Sequence, residues 1–237
     1  MFSLSSIADI IIADLRRIQA QRELAEKMGT LEPVKRLQEW QCARLLVTHD
    51  TLAKESRYQA AMQFFVDELY GPKDFSQRDA DLARVVPKLA AVLPEKAMLA
   101  LKDAVAVNTL SFDLDLDLIN HLDGPLNAFN YATAYRKSNR LDDRKRQIDI
   151  IYHLGEQLAD VVHIRGVSMI IKLARKPAQL AGLLSLHEFL EQGFQSFKKI
   201  GDVHDFINPV LSKEREIMHA LLDESVCLAT NNPIPEV

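Results

Sequence analysis

Cysteine is almost missing from this chain of 237 residues: Cys42 and Cys227 are the only two. Two thiols, one inside a helical pattern and one near a polar C-terminal stretch, cannot build a disulfide framework or a cysteine-rich zinc site, so a reducing, cytoplasmic setting is expected. Glycine and proline are sparse, at 8 and 9, which excludes collagen-like and low-complexity chains. Long apolar runs are lacking as well. No stretch approaches the roughly 20 apolar residues of a transmembrane helix, and the N-terminal apolar run has no basic region before it and is cut by Asp9 and Asp14. Neither a signal peptide nor membrane contact is expected. Charge of one sign is not in excess either: 29 Lys and Arg stand against 33 Asp and Glu, a net charge of -4, which argues against broad binding to nucleic acid. Walker loop, dinucleotide turn, nucleophile elbow, HExxH and Cys-His nucleophile patterns are all absent. Those enzyme classes fall away, while a helical enzyme with a scattered site would pass such a search.

What the chain does hold is enough apolar material for one core, 48% of residues against 26% charged, arranged with helical punctuation. The expectation is an all-α fold, an irregular single-domain bundle of about eight or nine helices over residues 1–229, with a disordered tail at 230–237. The spacing predicts helices over about 5–28, closed by Gly29, 33–54 opened by Pro33, 56–70, 76–92, 94–122, 127–136, 141–176, a brief one after Pro177, 185–200 and 209–225. Leu110 to Leu118 alternates with period two, but no second alternating run could partner a strand, so it is read as helix. Leu186, Phe189, Phe194, Phe197, Ile151, Leu158 and Val162 are predicted core residues, and Gly155, Gly166 and Gly193 are predicted sites of close helix approach. Ser185 and Glu188 form a capping box for the helix over 185–200.

Residues 141–176 read as one long helix in which an apolar seam from Ile148 to Leu173 runs beside ionisable groups. His153, Glu156, Asp160 and His163 are spaced three, four and three apart, so they project within about a third of the helix circumference. Two imidazoles and two carboxylates so placed could hold a divalent transition metal, completed by Glu39, His49 or His121 from another helix. The same spacing also describes a wetted flank. Asp113, Asp115 and Asp117 open like a calcium loop, but Leu118 and Gly124 stand where that loop needs glycine and glutamate. Residues 136–146 gather six basic side chains around a helix start, read as a solvated helix end capped by Asp142 or Asp143 rather than as a phosphate site.

The densest cluster of unusual residues runs from Phe64-Phe65 through Glu68-Leu69-Tyr70-Gly71-Pro72-Lys73-Asp74-Phe75 to Arg78-Asp79. Gly71-Pro72 forces a turn, and Phe75 is expected to pack on Phe64 and Phe65. Tyr70, Lys73, Asp74, Phe75, Arg78 and Asp79 are then either a partner-binding loop or a corner with internal salt bridges. With this block, with Arg140, Asp143, Arg144, Gln147 and Ile148, and with the Phe189 to Phe197 helix, the chain resembles a bacterial family of helical proteins of unknown function. The resemblance spans about a third of the chain and implies the helical fold without an activity or cofactor. The expected role is a protein-interaction or adaptor module, bound to another protein or to itself as a homodimer. The alternative is a metal- or cofactor-dependent helical-bundle enzyme using the His153 to His163 band.

Overall fold

A computed structural model describes residues 4–69, 71 and 75–237, and it is helical throughout, with no strand among them. Eleven α-helices form a single compact domain, rather than the eight or nine expected. They are α1 (Leu4–Lys27), α2 (Leu31–Thr48), α3 (Asp50–Lys54), α4 (Ser56–Phe64), α5 (Ser76–Val92), α6 (Glu95–His121), α7 (Ala128–Ser138), α8 (Leu141–Val161), α9 (Val167–Leu180), α10 (Leu184–Ile200) and α11 (His204–Leu222), with a π-helical turn at Phe65–Leu69 after α4. Among the described residues no helix is long and apolar enough to cross a membrane.

The central element is α6, which packs against α1, α2, α7 and α8. Its period-two segment is helical as expected: Leu110, Leu114 and Leu118 share one buried face, while Phe112 is buried among Ile18, Ala25 and Val34. The main core lies between α4, α7, α8, α10 and α11, and a second one joins Ile7, Ile11 and Leu15 of α1 to Leu82 and Val86 of α5 and to Met98, Leu101 and Val105 of α6. Leu186, Phe194, Phe197 and Val162 are buried; Phe189, Ile151 and Leu158 are half-buried at the core's edge. Gly29, at φ +72, ends α1 as predicted, with the Thr30 N–H donating back to the Ala25 carbonyl at 2.9 Å in the manner of a left-handed helix stop.

Several boundaries differ from the expectation: α11 starts at His204 with Pro209 inside it, and α9 runs through Pro177 to Leu180, so no separate brief helix follows that proline. The helix predicted over 33–54 breaks at His49 into α2 and α3. The capping box is not formed: α10 begins after Leu183 without a side-chain cap, and Glu188 instead faces Arg175 at 3.3 Å. Most consequential, the helix over 141–176 is two helices, because the chain turns at residues 162–166 through Gly166 at φ +94. No atom lies within 4 Å of a Cβ built on Gly166, so this glycine serves backbone direction, whereas one on Gly155 would stand 3.0 Å from Ile207 and one on Gly193 2.8 Å from Phe64. Those two are true close approaches. The tail beyond Thr230, expected to be disordered, carries no helix but sends Ile234 into the main core.

Cys42 is buried, its thiol donating to the Val66 carbonyl at 3.7 Å, and burial pushes its pKa up to about 12. Cys227 is exposed, and hydrogen bonding with Thr230 pulls its thiol below the ordinary value. One thiol is therefore expected to react quickly with an aromatic disulfide reagent under native conditions and both in denaturant, since the thiolate is the reacting form. Two fast thiols in the native protein would mean that α2 opens readily.

Candidate functional site

The His153 to His163 band does not converge. His153 and His163 are exposed, and the His163 Nδ1, just past the end of α8, sits 2.7 Å from the Ala159 carbonyl of that helix. Glu156 pairs instead with His204 at 3.0 Å, and Asp160 with Lys96 at 2.6 Å, both in solvent-exposed surroundings. Among the described residues no group of three or more His, Cys, Asp or Glu is placed to hold a metal. The supporting residues scatter too: His49 turns to Glu214, and His121 to the Asp117 carbonyl on its own helix.

Of the loop candidates, Tyr70, Lys73 and Asp74 lie outside the described residues. Phe75, Arg78 and Asp79 are inside the protein and committed to one another. The Arg78 guanidinium lies 3.8 Å from the Phe75 ring centre and 4.5 Å from that of Phe189, donates to the Glu68 carbonyl at 2.8 Å, and meets the Asp79 carboxylate at 3.3 Å. Arg22 of α1 takes the other Asp79 oxygen at 2.8 Å. Burial draws the Arg78 guanidinium below its ordinary pKa. The described part of the block is thus an arginine held between two rings and paired with internal carboxylate and carbonyl groups.

Half of the basic stretch at 136–146 is spent on internal contacts, while Lys145 and Arg146 stay exposed and Lys137 pairs with Asp123 at the surface. Arg136 donates to the carbonyls of Leu221, Asp223 and Val226, closing the C-terminus of α11, and Arg140 bridges Asp143 and Asp113. Arg144 goes fully inside, at 5% exposure. The three aspartates of α6 are divided by the helix: Asp113 takes Arg140 and Gln21, whereas Asp115, at 0% exposure, receives the side-chain amides of Gln38 and Gln41 at 3.0 and 2.9 Å.

What the sequence reading missed is a polar stratum inside the bundle. Arg44 of α2 directs Nη1 onto both carboxylate oxygens of Glu214 of α11, at 2.6 and 2.8 Å, and His49 Nε2 reaches the same carboxylate at 2.9 Å. Burial, the strongest single influence, pushes the Glu214 pKa up, but the Arg44 charge and the hydrogen bonds from His49 and Arg44 outweigh it and hold it down to about 2. On the neighbouring helices the Arg144 guanidinium lies 4.5 Å from the Tyr135 ring centre, and Gln147 donates to the Ser111 hydroxyl at 2.7 Å. Burial raises the pKa of Tyr131 and pushes that of Tyr135 up to about 12, so both phenols stay protonated.

Arg44, Glu214, Arg144, Gln147, Ser111 and the two tyrosines line a cavity of about 170 Å³ among α2, α6, α7, α8 and α11, whose apolar walls include Met62, Phe65, Ile151, Leu154, Ile207 and Val210. A second cavity of about 150 Å³, with almost wholly apolar walls, lies among α5, α6, α8, α9 and α10 and shares Leu154 with the first. The stratum was detectable in principle. Val34, Leu37, Gln41 and Arg44 step along α2 by three, four and three, and Ile207, Leu211, Glu214 and Met218 step along α11 by four, three and four, so a polar residue occupies a core position in each stripe.

The family described as Domain of unknown function (DUF8198) matches residues 20–226, and the chain belongs to it. No curated protein and no solved structure matches the chain.

Proposed function

We propose that this domain is a binding protein for a small, uncharged, ring-sized molecule with a hydrogen-bonding head, seated in the cavity between α2, α6, α7, α8 and α11. The observation that carries this reading is the mixed lining of that cavity, apolar for the most part with the polar side chains of Tyr131, Tyr135, Ser111, Gln147, Arg44 and Arg144 among its walls. Ligand sites are commonly of this kind, apolar with a few convergent polar groups. The size follows from volume: an apolar cavity of about 150 Å³ takes a benzene ring, and this one is about 170 Å³. The charge follows from the walls and their immediate neighbours. Arg44 and Arg144 are offset by Glu214 and Asp115, so a further buried charge on the ligand would have no counter-charge and would cost several kcal/mol. A carbonyl, amide or hydroxyl head suits the phenols and amides present.

Thermal unfolding with benzamide, benzyl alcohol and benzoate as probes tests the reading. The two neutral probes are expected to raise the melting temperature and benzoate to leave it unchanged. Tyr135→Phe, which removes one hydroxyl, should weaken benzamide by roughly fivefold to tenfold with the unliganded melting temperature held. If none of the probes acts at millimolar concentration, or benzoate alone does, the reading fails.

The adaptor reading needs an exposed surface, and the observation that favours it is the outer face of α9. The metal-dependent alternative rests on the His153 to His163 band, whose members each have other neighbours.

A further inference from the structure

The helix α9 differs from every other long helix in how little of it the protein uses. Val167 is its sole buried residue. Met169, Ile170, Leu173 and Leu180 are exposed at 65%, 39%, 70% and 90%. At ~100° per residue these four and Pro177 fall within one arc of about 100°, while the opposite face, Val167, Ile171, Ala174 and Ala178, rests on the protein and chiefly on α10. Lys172 and Lys176 border the exposed arc and are themselves exposed.

The charge of this region is the second observation. Residues 161–187 contain Arg165, Lys172, Arg175 and Lys176 and not one Asp or Glu, in a chain whose net charge is -4. Arg175 pairs at the surface with Glu188 and Glu191 of α10, which leaves Arg165, Lys172 and Lys176 as exposed cations without a carboxylate on their own segment.

A convex ridge of aliphatic tips with lysines along its margin fits a partner that deforms around it and carries negative charge. We propose that α9 seats the protein on an anionic lipid surface, the Met169, Ile170, Leu173 and Leu180 side chains entering the boundary of the acyl chains and Lys172 and Lys176 reaching back to the headgroups. This is the geometry of an amphipathic helix lying in the membrane plane, with the lysine stems covering apolar surface while their charges stay wet. A protein groove would need a matching concavity, and a second copy would set like charges against one another. The inference does not depend on the small-molecule reading, and it departs from the sequence expectation of no membrane contact.

Co-sedimentation of the whole protein with vesicles of phosphatidylcholine alone, or with about a third phosphatidylglycerol, tests it. Binding is expected to the anionic vesicles, weaker by at least tenfold without the anionic lipid, and reduced by salt. Lys172→Glu with Lys176→Glu should cost roughly 25-fold or more, at about fivefold for each basic charge lost near the surface. Leu173→Glu with Leu180→Glu should abolish binding, and because both side chains are exposed the far-ultraviolet dichroism and melting temperature should hold. The proposal is overturned if the anionic vesicles do not bind the protein or if binding survives the leucine substitutions. It is equally overturned if sedimentation equilibrium shows a dimer that Leu173→Glu dissociates while vesicles leave the protein in solution, since the occupant is then a second copy.

Discussion

Arg44→Ala is expected to lower the stability of the fold by about 3–5 kcal/mol at neutral pH, the cost of leaving one member of a buried ion pair behind. The Arg44 side chain is 9% exposed and its guanidinium holds both oxygens of Glu214. The pH dependence separates this cause from lost packing. In the parent protein the Glu214 pKa is lowered from 4.5 to about 2, so the carboxylate contributes stability that is full above pH 4.5 and disappears as the pH falls toward 2. The size is ~3 kcal/mol. In Arg44→Ala the burial that pushes this carboxyl up is no longer opposed by the Arg44 charge, so its pKa rises from about 2 and the variant gains relative to the parent as the pH drops from 7 to 4.5. Urea unfolding at pH 7 and pH 4.5 measures both. A loss of the same size at the two values would assign the effect to packing and remove the electrostatic account.

The architecture was legible where a helix has a single buried face. In α10 the aromatic positions Phe189, Phe194 and Phe197 and the bare Gly193 repeat at helical spacing, and the structure puts Phe64 against that glycine. The same reasoning failed at residues 162–166. A glycine in a helical pattern reads identically whether it admits a neighbour, as Gly155 admits Ile207, or reverses the chain, as Gly166 does. Nor did spacing show that the seam loses its cover there. Met169, Ile170 and Leu173 keep the period of buried residues and are exposed, because periodicity reports that a face is apolar and says nothing of what covers it.

The polar stratum was legible residue by residue but not as a pairing. Arg44 and Glu214 are 170 residues apart, so no local motif contains both. His49, which the sequence offers as a partner for the ionisable band, turns to Glu214 instead. The band was prominent because its members are close in sequence, but His163 falls beyond the end of α8, and Glu156 and Asp160 meet His204 and Lys96 rather than one another. Buried charge declared itself only as a polar residue standing in an apolar stripe, a signal that Gln41, Arg44, Arg144 and Glu214 all carry.

Phe197→Ala is expected to cost about 3–5 kcal/mol, a large part of the ~5–15 kcal/mol by which a domain of this kind is stable. The ring is 0% exposed and meets Phe65 at 5.8 Å and Phe64 at 6.4 Å between ring centres. It also forms part of the wall of the apolar cavity of about 150 Å³, so the space it vacates joins a void already present. Neighbours have little freedom to fill it. Phe64 is stacked on Phe189 at 5.5 Å and seated against Gly193, and Phe65 lies against Phe206 at 6.3 Å. A void that cannot collapse keeps its full penalty, at ~24 cal/mol for each Å³ that remains. The enlarged cavity should then accept a bicyclic apolar guest: indole is expected to raise the melting temperature of Phe197→Ala and to leave the parent protein unchanged, while benzene, which fits a space of about 150 Å³, stabilises both. A cost below about 1.5 kcal/mol with no response to indole would show that α10 closes over the gap, and the rigid aromatic packing assigned to this core would be wrong.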